Sequence, residues 1–178
     1  DMEGSRGLGD VYKRQLWDRT ELVLGLVYEL AHKQCFYATK GQGAYLDGSV
    51  LSVSPCTQPE DSLIATGFPY TEFSQVHSFL TLLKVLFQET HGVRRAGAAS
   101  YDLCAVAAGW VEGFFEEGLK VWDVAAGGFI VQEAGGYICD WEGGNQWLTG
   151  KQIIAGNKPI KKYLLERIQG IYPGFGST

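Results

Sequence analysis

Three features within residues 97–136 have the residue types and spacing that suit metal and phosphate chemistry. The first is Asp123. It precedes Val124-Ala125-Ala126-Gly127-Gly128-Phe129-Ile130-Val131, a run that reads as a helix stopped by Gly135-Gly136, so its carboxylate is expected at or next to the N-cap. A carboxylate there either caps the helix or binds a hard cation. Magnesium takes one or two carboxylate oxygens together with water and substrate phosphate, so Asp123 fits as a metal ligand but makes an incomplete site alone.

The second feature is Gly97-Ala98-Ala99-Ser100, which opens a helix carrying Leu103, Val106, Ala107 and Trp110 at helical spacing and ending at Gly109. The free N–H groups of Gly97, Ala98 and Ala99, with almost no side-chain bulk over them, can receive a phosphate or sugar hydroxyl at the positive end of the helix dipole. Tight packing of the helix on a sheet explains the same small residues. The third feature is Glu116, at the end of the aromatic strand around Phe114-Phe115. It either bonds polyol hydroxyls or is an exposed turn carboxylate. Lys120 lies between the two carboxylates, as a contact to substrate phosphate or as a solvated turn lysine.

These features need elements to hold them. Residues 21–28 and 34–39 alternate as antiparallel strands, 43–46 and 63–67 form two more, and Asp47-Gly48 is a two-residue hairpin turn. Residues 73–90 give the clearest helix, with Val76, Phe79, Leu80, Leu83, Leu86 and Phe87 at three- and four-residue steps. A strand near Val93, the Gly97 helix, the Phe114 strand and the Asp123 helix follow. Strands at 137–139 and 153–155 come next, then a last helix with Pro159 in its first turn that ends before Gly170. The pattern is mixed α and β.

In combination and order, the features resemble a family. Gly97, Ala99, Glu116, Trp122, Asp123, Ala125, Ala126, Gly127, Glu133, Ala134, Gly135 and Gly136 match the C-terminal signature of the inositol monophosphatase family. Upstream, Leu24-Gly25-Leu26-Val27-Tyr28, the stretch from Thr39 through Gly48, and Thr66-Gly67-Phe68-Pro69-Tyr70 resemble its middle strands and hairpin, so the likeness covers about residues 20–170. The resemblance implies an α+β fold, a layered α/β/α/β/α sandwich of the inositol monophosphatase and fructose-1,6-bisphosphatase type. It also implies a magnesium-dependent phosphomonoesterase, homodimeric when complete, that acts on a polyol or sugar phosphate, inositol 1-phosphate first; separately, with no apolar run of the roughly 18 residues a spanning helix requires and no signal-peptide core, a cytoplasmic protein is expected. On this reading Asp123 is the catalytic metal ligand for Mg2+, while Gly97, Ala98, Ala99 and Glu116 bind substrate. Phosphatases of 3'-phosphoadenosine phosphate, histidinol phosphate or fructose bisphosphate are the alternatives, as is a non-catalytic sugar-phosphate-binding fragment. A fragment whose sheet edge pairs with another copy is a further one.

The family's other metal ligands, a Glu-Glu pair and an Asp-Pro-Ile/Leu-Asp-Gly-Thr motif in its N-terminal half, have no counterpart in this chain. The expectation is therefore a truncated domain over residues 16–178, inactive alone, behind a foreign or artefactual leader at 1–15 that is left out of the fold. The 178 residues, 46% of them hydrophobic, suffice for one core, and no linker or repeat divides them. A net charge of -5 argues against nucleic-acid and acidic-membrane partners. Cys35, Cys56, Cys104 and Cys139 are too scattered for a Cys-x-x-Cys site and are expected as buried thiols. His32, His77 and His91 are equally isolated.

Overall fold

The computed structural model describes residues 11–19, 21–69 and 73–175. Two five-stranded sheets form. The first is an antiparallel meander of β1 (Val11–Asp18), β2 (Glu21–Glu29), β3 (Gln34–Thr39), β4 (Ala44–Leu46) and β5 (Ser49–Val50). Between β4 and β5, Asp47 and Gly48 take φ of 48° and 86°, with Leu46 paired to Ser49, so the expected two-residue hairpin is present.

The second sheet runs β7 (Gly92–Arg94), β6 (Leu63–Thr66), β8 (Gly113–Glu117), β10 (Gln152–Gly156), β9 (Tyr137–Cys139). β7, β6 and β8 are parallel neighbours, with Ala65 facing Arg94 on one side and Phe114 on the other. Their crossovers are α1 (Val76–Glu89) and α2 (Ala99–Ala107); α3 (Val121–Glu133) leads on from β8 towards the antiparallel β9 and β10, and α4 (Lys158–Ile171) follows β10.

Strand alternation sorts the core into two halves. Ala65, Phe114, Ile153 and Ala155 face α2 and α3, which are covered on their other side by Val27, Phe36, Ala38 and Ala44 of the first sheet. Ile64, Phe115 and Ile154 face the opposite way, onto Phe79, Leu82 and Leu86 of α1 and Ile160, Leu164 and Ile168 of α4. The described residues thus build sheet, helix pair, sheet, helix pair, four of the five layers that the resemblance implies.

Three expectations are corrected. In addition, Val11 to Gln15 of the stretch expected as a leader pair with β2 from Glu29 to Gly25; residues 1–10 lie outside the described residues. α1 begins at Val76, three residues later than the periodicity suggested, with Gln75 at its N-cap. α4 runs through Gly170 to Ile171, since Gly170 keeps helical backbone in open space. All four cysteines are free thiols, but only Cys104 and Cys139 are buried.

α3 is buried on every residue from Val124 to Val131, so it has no polar face and needs small residues where neighbours come close. A Cβ on Gly127 would lie 2.8 Å from Leu103 Cβ and 3.0 Å from the Ser100 carbonyl oxygen. Glu133 closes the helix differently, accepting the Gly41 N–H at 3.0 Å and the Gly43 N–H at 3.2 Å, which moors the β3–β4 loop.

Helix propensity favours alanine over glycine by about 1 kcal/mol, whereas overpacking costs about 1–3 kcal/mol. Gly127→Ala is therefore expected to destabilise the chain in urea unfolding. Gly170→Ala, with nothing within 4 Å of its Cβ, is expected to stabilise it by about 0.5 kcal/mol. Equal effects of the two substitutions would contradict the tight α2–α3 contact.

Candidate active site

The parallel strands β6, β7 and β8 end at one edge of their sheet, the place where open α/β sheets bind ligands. Gly67 follows β6. Arg95 to Ala98 follow β7 and enter α2. Glu116 closes β8, and the chain then turns into α3. The three sequence features thus reach one region through the topology, although they are up to 26 residues apart along the chain, from Gly97 to Asp123.

Glu116 is half-buried, and its carboxyl lies against the backbone of Gly67: an added Cβ there would sit 2.0 Å from Glu116 Oε1. Gly67 leaves the room that the carboxyl fills. Thr66 fixes the junction beneath, its hydroxyl donating to the Phe115 carbonyl at 2.8 Å. Burial, then the negative charges of Asp102 and Asp123, push Glu116 up to about 8, against the opposing pull of Arg95. The exposed-turn reading of Glu116 is corrected: it is a recessed carboxyl among like charges.

Asp123 is also placed differently from the expectation. It is the third residue of α3, not its cap. Lys120, extended at φ −111° and ψ 161°, is the N-cap. The Asp123 N–H donates to the Lys120 carbonyl at 2.8 Å, while Asp123 Oδ2 accepts the Lys120 N–H at 3.1 Å, a reciprocal closure of the helix start. Oδ1 faces Lys13 Nζ at 3.2 Å. Lys120 directs its own ammonium over the exposed Trp122 ring, 5.2 Å from the centroid.

At α2, Ala98 is the N-cap and Ala99 the first helical residue, with Gly97 at φ 98° and exposed. No side chain caps this start. Arg95 lies over the Phe68 ring at 4.9 Å, so a cation and an aromatic face border the opening.

Sequence reasoning missed Asp102. It is 3% exposed in the first turn of α2, and burial raises it to about 7 despite the amide hydrogen bond from Ala96 and the charge of Arg95. Its signal was available: Asp102 is the single charged residue between Gly97 and Gly109. Gly67 and Lys13 were missed as well, because their roles depend on contacts far along the chain.

Asp123 offers carboxylate oxygens, but Oδ1 is already paired with an ammonium, and the described residues contain no group of three or more His, Cys, Asp or Glu able to hold a metal. The described residues therefore do not fit a magnesium site by themselves. No described helix is long and apolar enough to cross a membrane.

Folded Glu116 and Asp102 hold protons that the unfolded chain releases from about 4.5 and 3.8, respectively. Their contribution to stability is complete at low pH and is lost as pH rises to about 8 and about 7, respectively, an effect on the order of a few kcal/mol. Urea unfolding at both ends of that window should show Glu116→Gln losing less stability with rising pH than the parent. Parallel pH profiles would disprove the burial of Glu116.

The model of the inositol monophosphatase family matches residues 16–171. A putative Nus factor SuhB of Neisseria meningitidis serogroup A is 43% identical over 143 residues, spanning 80% of this chain and 55% of that protein. Nus factor SuhB of Haemophilus influenzae is 38% identical over 152 residues, spanning 85% and 56%. The structure of extragenic suppressor protein suhB from Bartonella henselae superimposes with a TM-score of 0.82 at 38% identity, over 85% of this chain and 58% of that one. Inositol monophosphatase from Anabaena sp. PCC 7120 gives 0.78 at 30%, over 86% and 61%. The chain thus spans little more than half the length of these curated relatives.

Proposed function

Because the chain belongs to the inositol monophosphatase family, we propose that it forms the substrate-recognition half of a magnesium-dependent phosphomonoesterase acting on a polyol or sugar phosphate, with inositol 1-phosphate as the leading substrate. The observation that carries this reading is the meeting of the α2 start, Glu116 and Asp123 at the ends of three parallel strands. A backbone N–H cluster without side-chain bulk suits a phosphate. A recessed carboxyl on the neighbouring strand suits ring hydroxyls better than phosphorus, because a polyol both donates and accepts hydrogen bonds.

Magnesium is the cofactor of this reading, with Asp123 supplying one carboxylate and the remaining ligands belonging to the part of the relatives' length that this chain does not span. A hydrolytic water and a clamp on the leaving oxygen need those ligands, so no chemical step is assigned to the residues present. Their work is recognition: Gly97, Ala98 and Ala99 for the phosphate, Glu116 for the polyol. The purified 178-residue chain is accordingly expected to show no magnesium-dependent turnover of inositol 1-phosphate. Turnover at enzymatic rates would refute the division of labour.

The roles separate in a chimera in which residues 16–171 replace the matching part of the Haemophilus influenzae relative. Asp123→Asn keeps an oxygen for the Lys120 N–H and removes the charge. Stability should change by about 1 kcal/mol or less while turnover falls by orders of magnitude. Assayed at pH 9, above the value of about 8 to which its surroundings push Glu116, Glu116→Gln should lower kcat/KM on inositol 1-phosphate by roughly ten- to hundredfold more than on p-nitrophenyl phosphate, the value of a hydrogen bond to a charged group. Equal losses on both substrates would move Glu116 into the catalytic shell.

A further inference from the structure

Gly97 is the bend between β7 and α2: its φ of 98° lies in the left-handed region, and nothing stands within 4 Å of an added Cβ. One residue holds the chain on both sides of that bend. Asp102 lies in the first turn of α2, where side chains tilt towards the helix start, so its carboxyl reaches back over the preceding turn. There it accepts the Ala96 N–H. Its own N–H donates to the Ala98 carbonyl at 3.0 Å, beside that of Tyr101 at 2.9 Å. Ala96 and Ala98 are thus both fastened to a residue that is only 3% exposed.

Where that carboxyl sits decides what it leaves open. The common way to close a helix start is an N-cap side chain that accepts the N–H of the second or third helical residue, and it stands where an anionic ligand would meet the first turn. Ala98 at the N-cap has no such atom, and no side chain caps α2. Asp102 steadies the entry from the buried side instead, and the first N–H groups of the helix, which have no intrahelical acceptor, stay uncapped. Arg95, next to Ala96, lies over the Phe68 ring at 4.9 Å, and its charge pulls both Asp102 and Glu116 downwards. The fastened segment therefore also carries the cation that faces the two carboxyls. An apolar side chain in place of Asp102 would avoid the cost of burying a carboxyl but leave the Ala96 N–H without its acceptor.

We propose that Asp102 is the positioning residue of the recognition site: holding Ala96 by its carboxyl and Ala98 by its N–H, it fixes the Gly97 bend so that the uncapped start of α2 and the Arg95 guanidinium border one opening. The proposal rests on the recognition role given above to Gly97, Ala98 and Ala99, while the hold on the bend stands on geometry alone. Asp102 itself touches no substrate. Its work is to keep the bend in one conformation before a ligand arrives, so that binding does not also have to order the segment.

Residue-resolved amide hydrogen exchange by NMR on the 178-residue chain tests the hold itself. In the parent, the protection factor of the Ala96 amide should exceed that of its neighbour Gly97 by roughly tenfold, the value of a hydrogen bond to a carboxyl. Asp102→Ala should abolish that difference while the fully buried Ile130 of α3 stays protected, and Asp102→Asn, which keeps an acceptor oxygen, should preserve it. Should Asp102→Ala lose the protection of Ile130 as well, the parent ratio and Asp102→Asn decide. The consequence for recognition is read in the chimera described above. There Asp102→Ala should raise KM for inositol 1-phosphate severalfold with a much smaller change in kcat, and Asp102→Asn should return KM to near the parent value. The proposal is overturned if Ala96 exchanges like Gly97 in the parent, if Asp102→Ala leaves Ala96 protected, or if Asp102→Asn impairs KM as much as Asp102→Ala. A parental chimera without turnover would refute the proposed reaction, whereas exchange at Ala96 still decides the hold.

Discussion

Everything in this molecule hangs on the burial of two small-residue helices between two sheets. α2 is buried from Asp102 to Ala107 and α3 from Val124 to Val131, so along these stretches each neighbour must come within touching distance of the backbone. Glycine and alanine permit it on three sides of α3. Gly25 of β2 brings an added Cβ to 2.8 Å from the Ala126 carbonyl oxygen, Gly127 faces Leu103, and Gly128 would meet the Trp147 ring at 2.6 Å. Larger side chains would push the sheets apart, and the strand ends that carry the site would lose their alignment with the helix starts.

That alignment gives the site its electrostatic character. The helix starts and the carboxyl ends of β6, β7 and β8 share one edge, so positive dipole ends and recessed carboxylates are neighbours. The charges of Asp102 and Asp123 both raise Glu116 there, burial raises Asp102, and Arg95 opposes both rises. Like charges gathered in a recess favour protonation or the arrival of a cation. The fold therefore holds an electrostatic deficit, and Lys13 answers part of it from within the chain.

Much of this was legible in residue order. Periodicity found α1, proline marked the start of α4, and Asp47-Gly48 fixed a hairpin, since each signal is local. The segment around Asp123 was legible as a helix but not in its frame: Val121 and Trp122 look like strand continuation, and only the extended Lys120 shows that the helix starts a turn's length earlier. β1 was not legible because Val11 to Gln15 lack an apolar stripe; the strand exists by pairing with β2, and its inward lysine finds a partner far along the chain. Asp102 was passed over for a related reason. Its carboxyl accepts the Ala96 N–H of the loop after β7, a contact that the pattern of its own helix does not announce.

The order in which the layers are encoded bears on synthesis. The first sheet is complete in sequence by Val50, yet the helix that covers it ends only at Glu133. At ribosomal rates of roughly 5–20 residues per second, the intervening chain takes on the order of 4–17 s to emerge. During that interval the faces of Val27, Phe36, Ala38 and Ala44 have no partner, on a meander with two free edges. A nascent chain of this design presents the apolar face of the meander before the helices that hide it exist.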